Sequence, residues 1–165
     1  MTQPLYLSRP SGFEILPASM PEARAIRDGV FVSEGLSNSY LIATPEGRIV
    51  VNTGMGFEAP IHKRNYDRID ETPVRYILLT QGHVDHVGGV DLFRETGTEV
   101  VAQAGNRAHQ LDDQRIAAFR AARSAFAFSK VIGDSLRHMK QEGGYGTVGQ
   151  STPEPSITFE DELKI

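Results

Sequence analysis

The sequence predicts an α/β fold. Short apolar runs rich in Val, Ile and Leu alternate with helical segments in the order strand, helix, strand, helix, strand, which layers helices on a sheet. The run Val74 to Leu79 leads directly into a loop that gathers Gln81, His83, Asp85 and His86 within six residues. Polar ligands at the C-terminal end of a strand occupy the crevice where α/β folds bind substrates.

Residues 1–29 are rich in Pro and Gly and read as an irregular arm, with one short strand near Phe13 to Leu16. Val30 to Val32 and Ser39 to Ala43 are strand material, interrupted by residues 33–38. Pro45-Glu46-Gly47 is a turn signal, and Arg48 to Asn52 is the returning strand, so residues 39–52 form a hairpin. Thr53 to Gly56 force a loop. Residues 58–70 read as a polar, weakly amphipathic helix that ends before Pro73. Val74 to Leu79 is a buried strand, Asp85 to Glu95 a helix stopped at Gly97, and Glu99 to Ala102 a further strand. Residues 106–128 form the longest helical segment, alanine-rich, with Leu111, Ile116, Phe119 and Phe126 at roughly helical spacing. Val131 to Met139 read as a second helix. Gly143 to Pro155 form a flexible loop, Ile157 to Phe159 a strand, and Leu163 to Ile165 the start of its return.

Length and composition set bounds. A chain of 165 residues is one domain or part of a larger one, and it is long enough to bury a core. The formal net charge of −4 disfavours nonspecific nucleic-acid binding and a polybasic membrane anchor. No apolar run approaches a membrane span, and Met1 to Pro10 lack the layout of a secretory signal, so a cytoplasmic location is expected. The absence of cysteine excludes disulfides, thiolate metal sites and a cysteine nucleophile. Any metal must be held by nitrogen and oxygen donors, which suits zinc, manganese or iron.

Gln81, His83, Asp85 and His86 are the candidate donors. Neighbours in a turn diverge, so Gln81 with His83 can face one ion while Asp85 with His86 face a second; such ions sit about 3.5–4 Å apart in two-metal sites. Gly82 relaxes the loop, and Gly88 with Gly89 let the next helix start lie against a neighbour.

These residues resemble the metallo-β-lactamase superfamily. The family pattern His-x-His-x-Asp-His reads here Gln81-Gly82-His83-Val84-Asp85-His86, followed by Gly88-Gly89. Upstream, Asn38 to Ile42 resemble the family's early strand, and Val50-Val51-Asn52-Thr53-Gly54 its Asp-Thr-Gly motif, with Asn52 in place of the aspartate. The resemblance covers residues 30–103 and extends to 165 through the hairpin-like end. It implies an αββα sandwich, of which this chain reads as the first half, the N-terminal part of a single domain. In this layout residues 1–29 are the arm, 30–103 the core with the metal motif, 104–150 a helical insertion and flexible loop, and 151–165 the start of the next hairpin. It also implies one or two zinc ions, with manganese or iron as alternatives. Gln81 and His83 fall on first-metal positions, and Asp85 and His86 on second-metal positions. The remaining ligands are expected beyond Ile165. The implied activity is hydrolysis of a small-molecule ester, lactam, thioester or sulfate ester by hydroxide generated at the metal, with Asp85 steering it. The alternative is a non-catalytic module of the same fold that self-associates, as a homodimer, or binds a partner. No nucleic acid or membrane partner is expected.

The other polar and aromatic residues have plainer readings. His62 is expected on a solvated helix face, His109 as a helix-start residue or at the rim of the site, and His138 near a helix end. Asp112 and Asp113 fit as helix-dipole partners. Phe119, Phe126 and Phe128 are expected in the core, with a lid or subunit contact as the alternative. Residues 143–149 read as a linker or, alternatively, an active-site flap.

Overall fold

The computed structural model describes residues 4–8, 20, 22–141 and 149–165. The expected strand near Phe13, the glycine-rich stretch from Gly143 and the His138 side chain lie outside the described residues. Seven strands form one sheet in sequential order: β1 (Arg24–Arg27), β2 (Val30–Ser33), β3 (Ser39–Thr44), β4 (Gly47–Val51), β5 (Val74–Leu79), β6 (Glu99–Gln103) and β7 (Ile157–Phe159). β1 to β4 run antiparallel, and β4 to β7 are parallel. β1 edges the sheet within the stretch read as an arm; its four residues are all exposed and carry no alternating pattern. Leu163 to Ile165 form no strand.

The register aligns one core row across the sheet: Leu41 opposite Val50, Val50 opposite Ile77, and Ile77 opposite Val100. All four side chains are buried. Burial of each such side chain contributes about 1.5–3 kcal/mol. The helices α2 (Ala59–Asp67) and α4 (Val90–Phe93) cover this face with Ala59, Tyr66, Val90 and Phe93, and the Tyr66 and Phe93 rings lie 6.2 Å apart. The opposite face carries Tyr40, Ile42, Ile49, Val51, Tyr76 and Leu78, all partly exposed.

α2 corrects one expectation. His62 is fully buried, not solvated. Its Nδ1 meets Ser33 Oγ at 2.8 Å, and Asn65 Nδ2 donates to the same hydroxyl at 3.0 Å. The helix looks polar in sequence because the face it buries against β2 is itself polar, so hydropathy periodicity misassigns its inner side. Burial pulls the His62 pKa down to about 4, with the Ser37 backbone opposing.

The predicted helix from Asp85 to Glu95 is two single turns, α3 (Val84–Val87) and α4, separated at Gly88-Gly89. Position 89 requires glycine for a steric reason. A Cβ on Gly89 would lie 2.3 Å from Ala59 Cβ and 2.7 Å from the Thr53 carbonyl. The segment from Asn106 is one continuous 36-residue helix, α5 (Asn106–Gln141), about 54 Å long at 1.5 Å per residue. A short helix, α1, spans Leu5–Ser8.

The start of α5 is docked. Gln110 Nε2 donates to Asn106 Oδ1 at 2.8 Å and to the Pro153 carbonyl at 3.1 Å. From Arg115 to Lys130 every residue but Ile116 is exposed, and Val131 is buried again. Phe119 and Phe126 are therefore not core residues; they are 63% and 76% exposed, and Phe128 is 46% exposed. Along this stretch the helix exposes these rings instead of packing them on the sheet. No helix among the described residues is long and apolar enough to cross a membrane.

Candidate metal centre

Parallel pairing of β4 with β5 puts their C-terminal ends side by side, and both loops of interest leave from there. Asn52 N donates to the Leu78 carbonyl at 2.9 Å, which ties the first loop to the second strand. Asn52 is the one described residue other than glycine at positive φ, 55°. Asparagine tolerates this left-handed conformation better than most residues. Its side chain then clamps the start of the donor loop. Oδ1 accepts from Thr80 N at 3.0 Å, and Nδ2 donates to Thr80 Oγ1 at 2.9 Å. The amide thus supplies both a donor and an acceptor where an aspartate would only accept.

Thr53 fixes the other end of the loop. Its N and Oγ1 donate to the His86 carbonyl at 2.8 and 3.0 Å, and its Oγ1 accepts from Gly89 N at 3.0 Å. Gln150 adds a strap that sequence reasoning missed. Its Nε2 donates to the Val84 carbonyl at 2.6 Å, and its Oε1 accepts from Gly56 N at 3.0 Å. No local pattern marks Gln150, because its two partners lie 66 and 94 residues away.

Between these clamps the four candidate donors form one contiguous chain of contacts. Gln81 Oε1 meets His83 Nδ1. Gln81 Nε2 lies 2.6 Å from His86 Nε2, and His86 Nε2 lies 3.3 Å from Asp85 Oδ2. Hydrogen positions on these rings are assigned by the contacts they make. His86 Nδ1 is buried with no hydrogen-bond partner. Among the described residues no three His, Cys, Asp or Glu side chains group as a metal set, so a cation held in this loop would need the Gln81 oxygen beside the imidazoles or carboxylate. Two imidazoles, a carboxylate and an amide oxygen are donors that suit a borderline divalent ion.

The surroundings favour the ligating forms of Asp85 and His83. The hydrogen bond from His86, followed by that ring's charge, holds the Asp85 carboxyl below the usual carboxylate range against its desolvation. Burial, then the charges of His109, Arg120 and His86, hold His83 below the usual imidazole range, with Asp85 opposing.

His109, in the first turns of α5, stands at the rim. Its ring lies edge-to-face with His83, centroids 4.5 Å apart. Gly82 makes room for it: a Cβ there would meet Asn106 O at 2.8 Å and His109 Nδ1 at 2.9 Å. Close approach, rather than loop flexibility, is what requires glycine at position 82. Asp112 pairs with Arg115 on the surface, whereas Asp113 is buried and pairs with Arg120. A cavity of about 460 Å³ opens beside the donors, with Asp85, Leu36, Met55 and Val84 on one side and one face of α5 on the other.

The metallo-beta-lactamase superfamily model matches residues 32–143. The chain belongs to the metallo-beta-lactamase superfamily. The match spans the clamp at Asn52, the donor loop and all of α5. Among curated relatives, the chain is 38% identical over 55 residues to the lactamase-like protein nscB of Arthroderma gypseum. It is 40% identical over 57 residues to the lactamase-like protein aptB of Emericella nidulans. Each stretch covers 33% of this chain and 18% of the relative. Among solved structures, the Cronobacter sakazakii metallo-beta-lactamase HARLDQ-motif mutant is 26% identical, with a TM-score of 0.50, covering 57% of this chain and 37% of that one. BJP-1, a subclass B3 metallo-beta-lactamase of Bradyrhizobium japonicum, is also 26% identical with a TM-score of 0.50, covering 55% and 36%. The chain therefore spans well under two thirds of these relatives. Superfamily membership supports the expected α/β architecture.

Proposed function

We propose that the protein carrying this chain is a zinc-dependent hydrolase of a small-molecule ester, lactam, thioester or sulfate ester. The observation that carries this reading is the contiguous set Gln81, His83, His86 and Asp85 at the C-terminal end of β5, bordering a cavity. Gln81 and His83 would hold one ion, and Asp85 and His86 a second. A divalent ion bound there acidifies water and polarises a scissile carbonyl or ester group. Asp85, ionised at neutral pH, can accept a proton from an attacking water at its carboxylate. Asn52, Thr53 and Gln150 hold the loop backbone at Thr80, His86 and Val84.

The test is hydrolysis of a panel of generic esters, lactams and thioesters by the whole protein after zinc loading. His83→Ala and Asp85→Ala are each expected to remove nearly all activity. Full activity in both variants would overturn the assignment.

A second reading has its own support. The partly exposed row Tyr40, Ile42, Ile49, Val51, Tyr76 and Leu78 is an apolar sheet face of the kind that drives association. On this reading the 165-residue chain alone is a non-catalytic homodimer. Light scattering at micromolar concentration separates it from a monomer.

A further inference from the structure

The cavity beside the donor loop is lopsided in a way that bears on what enters it. Its α5 wall presents Ala117, Ala121, Ala125, Phe128 and Ile132 at helical spacing, and Leu36, Met55 and Val84 face them. Two polar features interrupt this apolar lining on the α5 side: Ser124 and the Asp113–Arg120 ion pair. Asp113 is buried, its side chain 8% exposed, while Arg120 is 44% exposed. Only Nη1 of Arg120 engages Asp113. The Nε and Nη2 donors of the guanidinium have no partner among the described residues. Asp113 therefore anchors the cation at one corner through Nη1, and Arg120 itself lines the cavity.

We propose that Arg120 is an anion clamp, and that the cavity takes a small organic anion with an apolar, ring-sized body. The carboxylate or sulfonate of such a molecule would meet the Nε–Nη2 edge. Its apolar body would lie along the Ala117–Ala121–Ala125 face against Phe128. A planar guanidinium with two parallel N–H donors matches a carboxylate bidentately, which a lysine cannot do. The alanines keep the wall flat enough for a ring. As a statement about substrate class this rests on the proposed hydrolase function, but the binding itself needs no metal.

The experiment exploits that difference. Binding of 1-naphthylacetate and of its neutral isostere 1-naphthylacetamide is measured by calorimetry on the whole protein, metal-free and zinc-loaded. The metal-free wild type is expected to prefer the anion by about tenfold, the scale of one charge-assisted hydrogen-bonded pair. Arg120→Gln is expected to abolish the preference and leave amide binding within about twofold. Because that variant strands the buried Asp113, the double variant Arg120→Gln, Asp113→Asn removes the pair together and is expected to behave the same way. Absence of binding by both probes, equal binding of the two by wild type, or a preference that survives both variants overturns the clamp. An anion preference seen only with zinc and untouched by Arg120→Gln belongs to the metal, and also overturns it. Failure to take up zinc, with the metal-free preference intact, instead removes the hydrolase reading and leaves the clamp standing.

Discussion

At the scale of single residues, the site depends on polar side chains placed below and beside the donors. Asn52 combines a left-handed backbone with two bonds to Thr80. Asn52→Ala should lower stability by about 2–3 kcal/mol, and Asn52→Gly by roughly 1 kcal/mol less, because glycine relieves the backbone but not the lost bonds. Urea denaturation of the two variants measures the difference. His62 sets a pH dependence. Its folded pKa, about 4, lies below its ordinary value of 6.5. The unfolded chain therefore binds more protons between these values, and stability falls as pH drops through that window. The loss from pH 7 to pH 5 is about 2 kcal/mol. His62→Gln should flatten the slope between pH 7 and pH 5; an unchanged slope would assign it to other groups. The grouping of Gln81, His83, Asp85 and His86 was legible in sequence, because all four lie within six residues at the end of one strand. The clamps were less so: Asn52 was visible as a replacement for aspartate, but its bond to Thr80 depends on strand adjacency, and His62 was misread because its neighbours Lys63 and Arg64 look like a solvated face.

At the scale of elements, the turn between α3 and α4 determines how closely the donor loop approaches α2. Gly89→Ala would drive a methyl into Ala59 and the Thr53 backbone. The expected cost is about 1–3 kcal/mol. Zinc affinity should weaken as well, since Thr53 holds His86 in place; both are read by denaturation and metal titration. α5 behaves oppositely. Phe119→Gln and Phe126→Gln should each change stability by less than about 0.5 kcal/mol, because neither side chain is buried. A larger loss in thermal unfolding would mean that the helix packs against something in solution. Strands β5 and β6 and the β3–β4 hairpin were readable from apolar runs and the Pro45–Gly47 turn. β1 was not, having neither alternation nor burial. The exposed α5 phenylalanines show the limit of periodicity: spacing identifies a helix, but not whether anything covers its apolar positions.

At the scale of the whole molecule, the sheet order brings two distant loops together. The parallel step from β4 to β5 aligns the Asn52 loop with the donor loop, and α5 starts from the end of β6, so that His109 and Arg120 reach the same region. Sequence order alone suggested α/β layering; the shared edge follows from strand pairing, which no local pattern encodes. On the proposed function, Gln81, His83, Asp85 and His86 form a metal centre at that shared edge. The most direct measurement is a zinc titration of the metal-free whole protein, compared with Gln81→Ala and His83→Ala. The wild type is expected to take up zinc specifically, with affinity weakened on the order of tenfold or more in each variant as donors are lost. Zinc uptake identical in all three proteins, or none in the wild type, would contradict it.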